Sequence, residues 1–283
     1  MYRLLQLEWK KFRKYTIFRA LAFLYIILLP AVFFLSKVLP KPPEDLLSFK
    51  SFFMFPNIWI YLGYVGNWLV FFFIGFIGVL AITSEYSNKT LRQNIITGLT
   101  RREFFLSKLS LIIAVSAGAT LYYTILCGLI GFFHTDTIYM SKVLQNIDYI
   151  PRYFLMCVGY MTFAMFVGLL LKRTGFALFF YLLYVMILEA ILRYGVHFKF
   201  FKNRSIHFYP MNSVEDLVPI PFADQADQFL EENNFSDYNF KDVISIDQAL
   251  RALRLGLAAS YREYKLNRNE KDYFLLVVNK FHF

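Results

Sequence analysis

Five long apolar runs constrain this chain more than any other feature of its sequence. Each approaches or exceeds the roughly 18 residues that a helix needs to cross a bilayer. They cover about residues 17–38, 58–83, 109–133, 149–171 and 175–192. The runs are continuously apolar, whereas the strands of a membrane barrel alternate between apolar and polar residues. The sequence therefore predicts an all-α, polytopic membrane protein with five clear transmembrane helices.

The composition agrees with this class, since 58% of the 283 residues are apolar and 20% are aromatic. The apolar run after the basic N-terminus is too long for a cleavable signal peptide and lacks a small-residue cleavage site. Cys127 and Cys157 lie inside apolar runs. We therefore expect both to be small buried residues, and neither a disulfide nor a metal site.

The positive charge is unevenly placed along the chain. Residues 1–192 carry 18 Lys and Arg against 8 Asp and Glu, which accounts for the whole net charge of +10. Basic residues collect before the first run, in the loop after the second and in the turn after the fourth. Because basic loops stay on the cytoplasmic side, we expect a cytoplasmic N-terminus. Membrane orientation thus accounts for the basic character, and nucleic acid is not an expected partner.

The most informative polar stretch runs from Glu85 to Lys108, between the second and third apolar runs. It contains five basic and two acidic residues. Apolar residues recur in it at helical spacing until Gly98 interrupts them, and Thr100 with Glu103 has the spacing of a capping box. The pattern predicts a short amphipathic helix in a cytoplasmic loop, followed by a second helix.

This stretch resembles the cytoplasmic loop of ABC-2 type (type V) ABC transporter permeases. In that family an acidic residue ends the second span, a basic-Thr-Leu-Arg run and an Arg-Arg pair follow, and a Lys opens the third span. Glu85, Lys89 to Arg92, Thr100 to Arg102 and Lys108 match that order. The resemblance implies that loop 84–108 is the coupling loop, which docks on a separate ATPase subunit.

The residues to which the resemblance assigns this coupling role include apolar and charged side chains. They are Glu85, Thr90, Leu91, Arg92, Ile95, Leu99, Arg101 and Arg102. The alternative is an ordinary basic loop that only follows the orientation rule.

Residues 1–19 have the pattern of a helix lying on the membrane surface. Leu5, Trp9 and Phe12 share one predicted face, and Lys10 is on another with further basic residues. The family has an interfacial helix at this place, called the elbow. The alternative is a charged anchor with no mechanical role.

A few polar side chains inside the predicted spans are candidates for a substrate path. They are Tyr64, Asn67, Tyr123 and Glu189. The first three could equally form hydrogen bonds between helices. Glu189 is the one acid inside a span, and an intramembrane carboxylate is a functional candidate. The alternative for Glu189 is a local ion pair with Arg193, one helical turn later.

Residues 193–283 form a second predicted region, after the transmembrane permease domain of residues 1–192. It begins as a polar external loop and ends in a basic segment. The family has a sixth span, but residues 243–265 contain Asp247, Arg251 and Arg254 and no long apolar run. A sixth span is therefore degenerate or absent, and the side of the C-terminus stays open.

No catalytic motif accompanies these spans. The chain contains no G-x-x-x-x-G-K-[ST] sequence, so ATP and Mg²⁺ are expected on the partner ATPase and not here. The four histidines are scattered, and loop histidines explain them better than a metal site. We predict no enzyme activity, metal or cofactor in this chain.

The resemblance implies that the chain is the permease subunit of an ATP-driven exporter in the bacterial inner membrane. The resemblance implies three partners: a separate ABC ATPase, a second permease subunit in a homo- or heterodimer, and membrane lipid. The alternative is a non-transporting membrane anchor or assembly subunit that recruits a partner. The sequence leaves the substrate open.

Overall fold

The computed structural model describes most of the first 192 residues and one short segment beyond them. The described residues are 2–38, 52–88, 90, 100–135, 139–192, 209–218 and 221. All regular structure within them is helical. The predicted all-α class is therefore confirmed. Residues 243–265, where the family has its sixth span, and the C-terminal segment lie outside the described residues.

Eight helices, numbered here in chain order, make up the described part of the chain. They are α1 (Tyr2–Lys14), α2 (Thr16–Val38), α3 (Asn57–Ser87), α4 (Arg101–His134), α5 (Met140–Leu144), α6 (Tyr149–Leu171), α7 (Thr174–Ile191) and α8 (Pro210–Glu215). Both α3 and α7 contain a π-helical turn, at Val70–Ile74 and Tyr184–Leu188.

Within the described residues, four helical segments are long and apolar enough to cross a membrane. They are Asn57–Ser87, Arg102–His134, Met140–Leu171 and Thr174–Ile191. The segment Thr16–Ala31 of α2 is a shorter apolar helix. These helices fit the predicted polytopic membrane protein.

The start of α4 follows directly from its sequence. The Thr100 side chain accepts a hydrogen bond from the Glu103 amide at 3.2 Å, and the Glu103 carboxylate accepts one from the Thr100 amide at 2.9 Å. This reciprocal pair is the predicted capping box. The helix that it opens is continuous with the third span. The short amphipathic helix predicted before it falls on a stretch that lies, apart from Thr90, outside the described residues.

Glycines in α3 allow a close approach to α6. A Cβ atom added at Gly78 would lie 2.8 Å from the carbonyl oxygen of Met161 and 3.0 Å from the Cβ atom of Ala164. Gly168 of α6 faces the carbonyl of Val79 in the same way. Small residues therefore bring these two backbones together, as is common between membrane helices.

Pro30 lies inside α2, where it cannot donate a backbone hydrogen bond to the carbonyl of Ile26. The hydroxyl of Tyr122, from α4, donates to that carbonyl at 2.5 Å instead. A side chain of a neighbouring helix thus satisfies the group that proline frees, which a membrane interior requires.

The chain divides into two compact units. The first contains Met1–Leu182 and Pro210–Pro221, and the second contains Leu183–Tyr209 and Phe222–Phe283. This division falls inside α7, ten residues before the predicted boundary at residue 192. Of the second unit, the structure describes residues 183–192 and Tyr209.

Helix α8 belongs to the first unit, although the sequence placed it in an external loop. A Cβ atom added at Gly159 of α6 would lie 2.6 Å from the side chain of Val214 in α8. A Cβ atom added at Gly63 of α3 would lie 3.1 Å from the side chain of Val218, just beyond α8. The segment is therefore packed against two of the long apolar helices.

Candidate functional site

Four charged side chains from three helices meet where the 88–100 loop joins α3 and α4. Glu8 and Lys11 are on α1, one helical turn apart. Glu85 is in the last turn of α3, and Lys108 is two turns into α4. We call these four residues the ion cluster.

Each ammonium group of the ion cluster contacts both carboxylates. The Lys108 Nζ atom donates to Glu8 Oε2 at 2.6 Å and to Glu85 Oε1 at 2.9 Å. The Lys11 Nζ atom donates to Glu85 Oε1 at 2.9 Å and lies 3.5 Å from Glu8 Oε1. Two positive and two negative charges therefore cancel within the ion cluster, which is what burial of charge requires.

The ion cluster is buried apart from Lys11. Glu8 and Glu85 are 2% and 3% exposed, and Lys108 is fully buried. The rings of Phe12 and Phe104 flank the Lys108 ammonium, with centroids 5.6 Å and 5.4 Å from Nζ. This apolar surrounding excludes water and strengthens the attraction between the charges.

The pKa of Lys11 reflects its position in the ion cluster. Partial burial acts to lower this pKa, but the charge of Glu8 and the hydrogen bond to Glu85 outweigh it. The net effect raises the pKa of Lys11 above its ordinary value. A raised pKa means that the contribution of Lys11 to stability is lost only as pH rises through the folded-state pKa. Lys11 is therefore charged at neutral pH.

Two further contacts reach the end of α3 beside the ion cluster. The hydroxyl of Thr90 donates to the carboxylate of Glu85 and lies 3.4 Å from the Glu85 carbonyl oxygen. Lys172, in the turn between α6 and α7, has its Nζ atom 5.9 Å from the ring centroid of Tyr86. Thr90, near the beginning of the 88–100 loop, thus contacts Glu85 at the end of α3.

The structure brings together some of the predicted coupling residues. Glu85 and Thr90 are hydrogen-bonded to each other, and Arg102 is exposed in the first turn of α4. Arg101 begins α4, but its side chain is outside the described part. The remaining predicted coupling residues lie outside the described residues: Leu91, Arg92, Ile95 and Leu99.

Sequence reasoning did not single out Glu8 or Lys11 as site residues. A signal was present, since Glu8 is the one acid in residues 1–19 and lies one turn from both Lys11 and Phe12. An acid on the apolar side of an interfacial helix needs a buried partner. On the predicted shared face of α1, Phe12 is 3% exposed and Trp9 is 54% exposed. The side chain of Leu5 is outside the described part.

Of the predicted substrate-path residues, Asn67 and Tyr123 make contacts between helices. The Tyr160 hydroxyl of α6 donates to Asn67 Oδ1 of α3 at 2.8 Å. The Tyr123 hydroxyl donates to the Trp59 carbonyl. Both contacts are of the interhelical kind that the sequence left as the alternative.

Tyr123 also stacks on a second tyrosine, Tyr153 of α6, with ring centroids 4.2 Å apart. The remaining two predicted substrate-path residues are placed differently. Tyr64 is half-buried in α3, and Glu189 is buried in the second unit. Arg193, the predicted ion-pair partner of Glu189, lies outside the described residues.

The described residues contain no group of three or more His, Cys, Asp or Glu side chains that could hold a metal ion. Cys127 and Cys157 are free and buried. The Nδ1 atom of His134 lies 2.9 Å from the carbonyl oxygen of Ile130, in the last turn of α4.

The long apolar helices indicate a multi-pass membrane protein. A family model described as ABC-2 family transporter protein matches residues 4–188, which include the whole ion cluster. The chain therefore belongs to the ABC-2 family and is a membrane permease component of an ABC transporter. Such permeases generally work with an ABC ATPase. No curated protein and no solved structure matches the chain.

Proposed function

We propose that this chain is the permease subunit of an ATP-driven exporter. A separate ATPase subunit binds ATP and Mg²⁺ and acts on the 88–100 loop, and a second permease subunit completes the path across the membrane. The N-terminus and the loop lie on the cytoplasmic side of the bacterial inner membrane. The driving chemistry belongs to the ATPase, and this chain converts it into movement of helices.

The contact between Lys108 and Glu85 carries the proposal. It joins the two helices that flank the loop, with 2.9 Å between the charged atoms. If the two ends of a loop are not joined, a displacement imposed by a partner changes the conformation of the loop and does not move the flanking helices. If a buried ion pair joins the two ends of the loop, the same displacement moves α3 and α4 together.

Close packing then carries the movement further into the membrane. Backbone contact between α3 and α6 at Gly78 and Met161 leaves no room for the two helices to slide independently. A displacement of the α3 end is therefore shared with α6. Packed interfaces of this kind change between discrete arrangements, as alternating access requires.

The loop offers both kinds of side chain that a docking contact needs. Leu91, Ile95 and Leu99 supply apolar surface for a groove of the ATPase, and Arg92, Arg101 and Arg102 supply charge for orientation. Arg102 is exposed, as such a role requires.

A double substitution in the loop tests the proposal. Leu91→Asp with Ile95→Asp leaves membrane insertion intact, because both residues lie outside the apolar runs. It abolishes co-purification with the ATPase and ATP-dependent movement of substrate in vesicles, because an unpaired charge buried in an interface is costly.

The matched control is Ser141→Asp, which adds a charge to an exposed position in α5, outside the loop. We expect this control to bind the ATPase as the wild type does. Co-purification of the double variant at wild-type yield, with transport retained, contradicts the proposal. Recruitment of the ATPase without any ATP-dependent transport by the wild type identifies the chain as a membrane anchor instead.

A further inference from the structure

We infer that Glu8 is a positioning residue, which together with Lys11 ties α1 to both ends of the 88–100 loop so that this helix moves with the loop. That α1 is tied follows from geometry alone. That α1 moves during the ATPase cycle rests on the proposed function.

Helix α1 is attached through two side chains to two different helices. Glu8 bonds to Lys108 of α4, which is 100 residues away in sequence, and Lys11 bonds to Glu85 of α3, which is 74 residues away. Because Glu8 and Lys11 are one turn apart on the same helix, the two attachments together oppose both rotation and sliding of α1.

Stability alone does not explain why this attachment is ionic. Replacing a buried ion cluster by apolar residues of similar volume is often neutral or stabilising, because apolar groups need no desolvation. Charged groups additionally fix the register of α1 against its neighbours, since a carboxylate must meet a particular ammonium group at a particular distance. A helix that has to follow its neighbours needs this kind of fixed alignment.

Helix α1 is also joined tightly to α2. One non-helical residue, Tyr15, separates the two helices, and its amide donates to the Phe12 carbonyl at 2.9 Å. The Phe12 ring packs against Phe18 of α2 with centroids 5.1 Å apart, and it also flanks the Lys108 ammonium. Movement of the loop ends therefore reaches α2 through Glu8 and α1.

The attachment is tested on the permease alone, in lipid nanodiscs. Spin labels at Lys10 and Ser87, which are both exposed, report the distance between α1 and the end of α3. The wild type is expected to give one narrow distance distribution. Glu8→Gln removes the negative charge that pairs with Lys108 while keeping the side-chain volume, and it is expected to broaden that distribution.

A second variant separates attachment from charge balance. Glu8→Gln with Lys11→Met leaves one carboxylate and one ammonium group, so the ion cluster is again neutral. We expect thermal stability to recover in this double variant while the distance distribution stays broad. A narrow, wild-type distribution in either variant overturns the inference. Asp148→Asn, which breaks a more exposed ion pair with Arg152, is the matched control and leaves the distribution narrow.

The movement of α1 is tested in the complex with the ATPase. Addition of ATP and vanadate is expected to change the distance from Lys10 to a label at Ser141, but not the distance from Lys10 to Ser87. In Glu8→Gln the change is lost although the ATPase still co-purifies. A nucleotide-driven change of wild-type size in Glu8→Gln overturns the inference. Failure of any ATPase to bind the wild type counts against the proposed function, whereas the nanodisc measurement still decides the attachment.

Discussion

The hydroxyl of Tyr122 lies 2.5 Å from the carbonyl oxygen of Ile26, which is the group that Pro30 deprives of its helical donor. The contact joins α4 to α2 at a point where α2 lacks one of its own hydrogen bonds. A break in one helix is thereby converted into a specific bond between two helices.

Tyr122→Phe is expected to destabilise the protein by about 0.5–2 kcal/mol, because it leaves this carbonyl without a donor inside the membrane. The loss is measured by thermal unfolding in detergent. Adding Pro30→Ala restores a backbone donor to Ile26, so Tyr122→Phe should cost less in that background. Equal costs in both backgrounds would show that the bond is unrelated to the proline.

Gly78→Ala is expected to lower stability by about 1–3 kcal/mol, since its Cβ atom would overlap the backbone of Met161 and force α3 and α6 apart. Gly118→Ala is the matched control, because a Cβ atom there meets nothing within 4 Å. The control should be unchanged or more stable by up to about 1 kcal/mol, reflecting the higher helix propensity of alanine. Similar losses in both variants would contradict close packing at Gly78.

Lys108→Met is expected to cost about 3–5 kcal/mol, because it leaves two buried carboxylates sharing Lys11 alone. Adding Glu85→Gln removes the excess negative charge and should recover much of that loss. Both are measured by thermal unfolding beside Lys10→Met, which removes an exposed charge from α1 and should have little effect. If Lys108→Met alone were as stable as the wild type, the ion cluster would have to be solvated.

The proposed orientation is tested by labelling single added cysteines in intact cells. Cys127 and Cys157 are buried, so they contribute little background. A cysteine at the exposed position Asn88 should react only with reagents that cross the membrane, and one at Ser141 should react from outside. The opposite pattern would invert the topology and remove the loop from the reach of a cytoplasmic ATPase.

The helical class and the start of α4 could be predicted because their signals are local. Apolar length reveals a membrane helix, and Thr100 with Glu103 are three residues apart. The end of α3 could not be predicted from local signals. Hydropathy ends the second apolar run near residue 83, but the helix continues to Ser87 and places Glu85 against Lys11 and Lys108.

The ion cluster itself could be predicted only in part. The resemblance pointed to Glu85 and Lys108, whose positions flank the loop. It did not pair them with Glu8 and Lys11, because that pairing depends on how α1 packs in three dimensions. The contact between Tyr160 and Asn67 was missed for the same reason, since 93 residues separate the two in sequence.

The bond between Glu8 and Lys108 also has a consequence for how the protein is made. Synthesis proceeds from the N-terminus, so Glu8 leaves the ribosome 100 residues before its partner. Until α4 arrives, the Glu8 carboxylate has no Lys108 to neutralise it and is better solvated at the membrane surface than buried. Helix α1 therefore reaches its final position only after the third span is in the membrane, although it is the first helix to be synthesised.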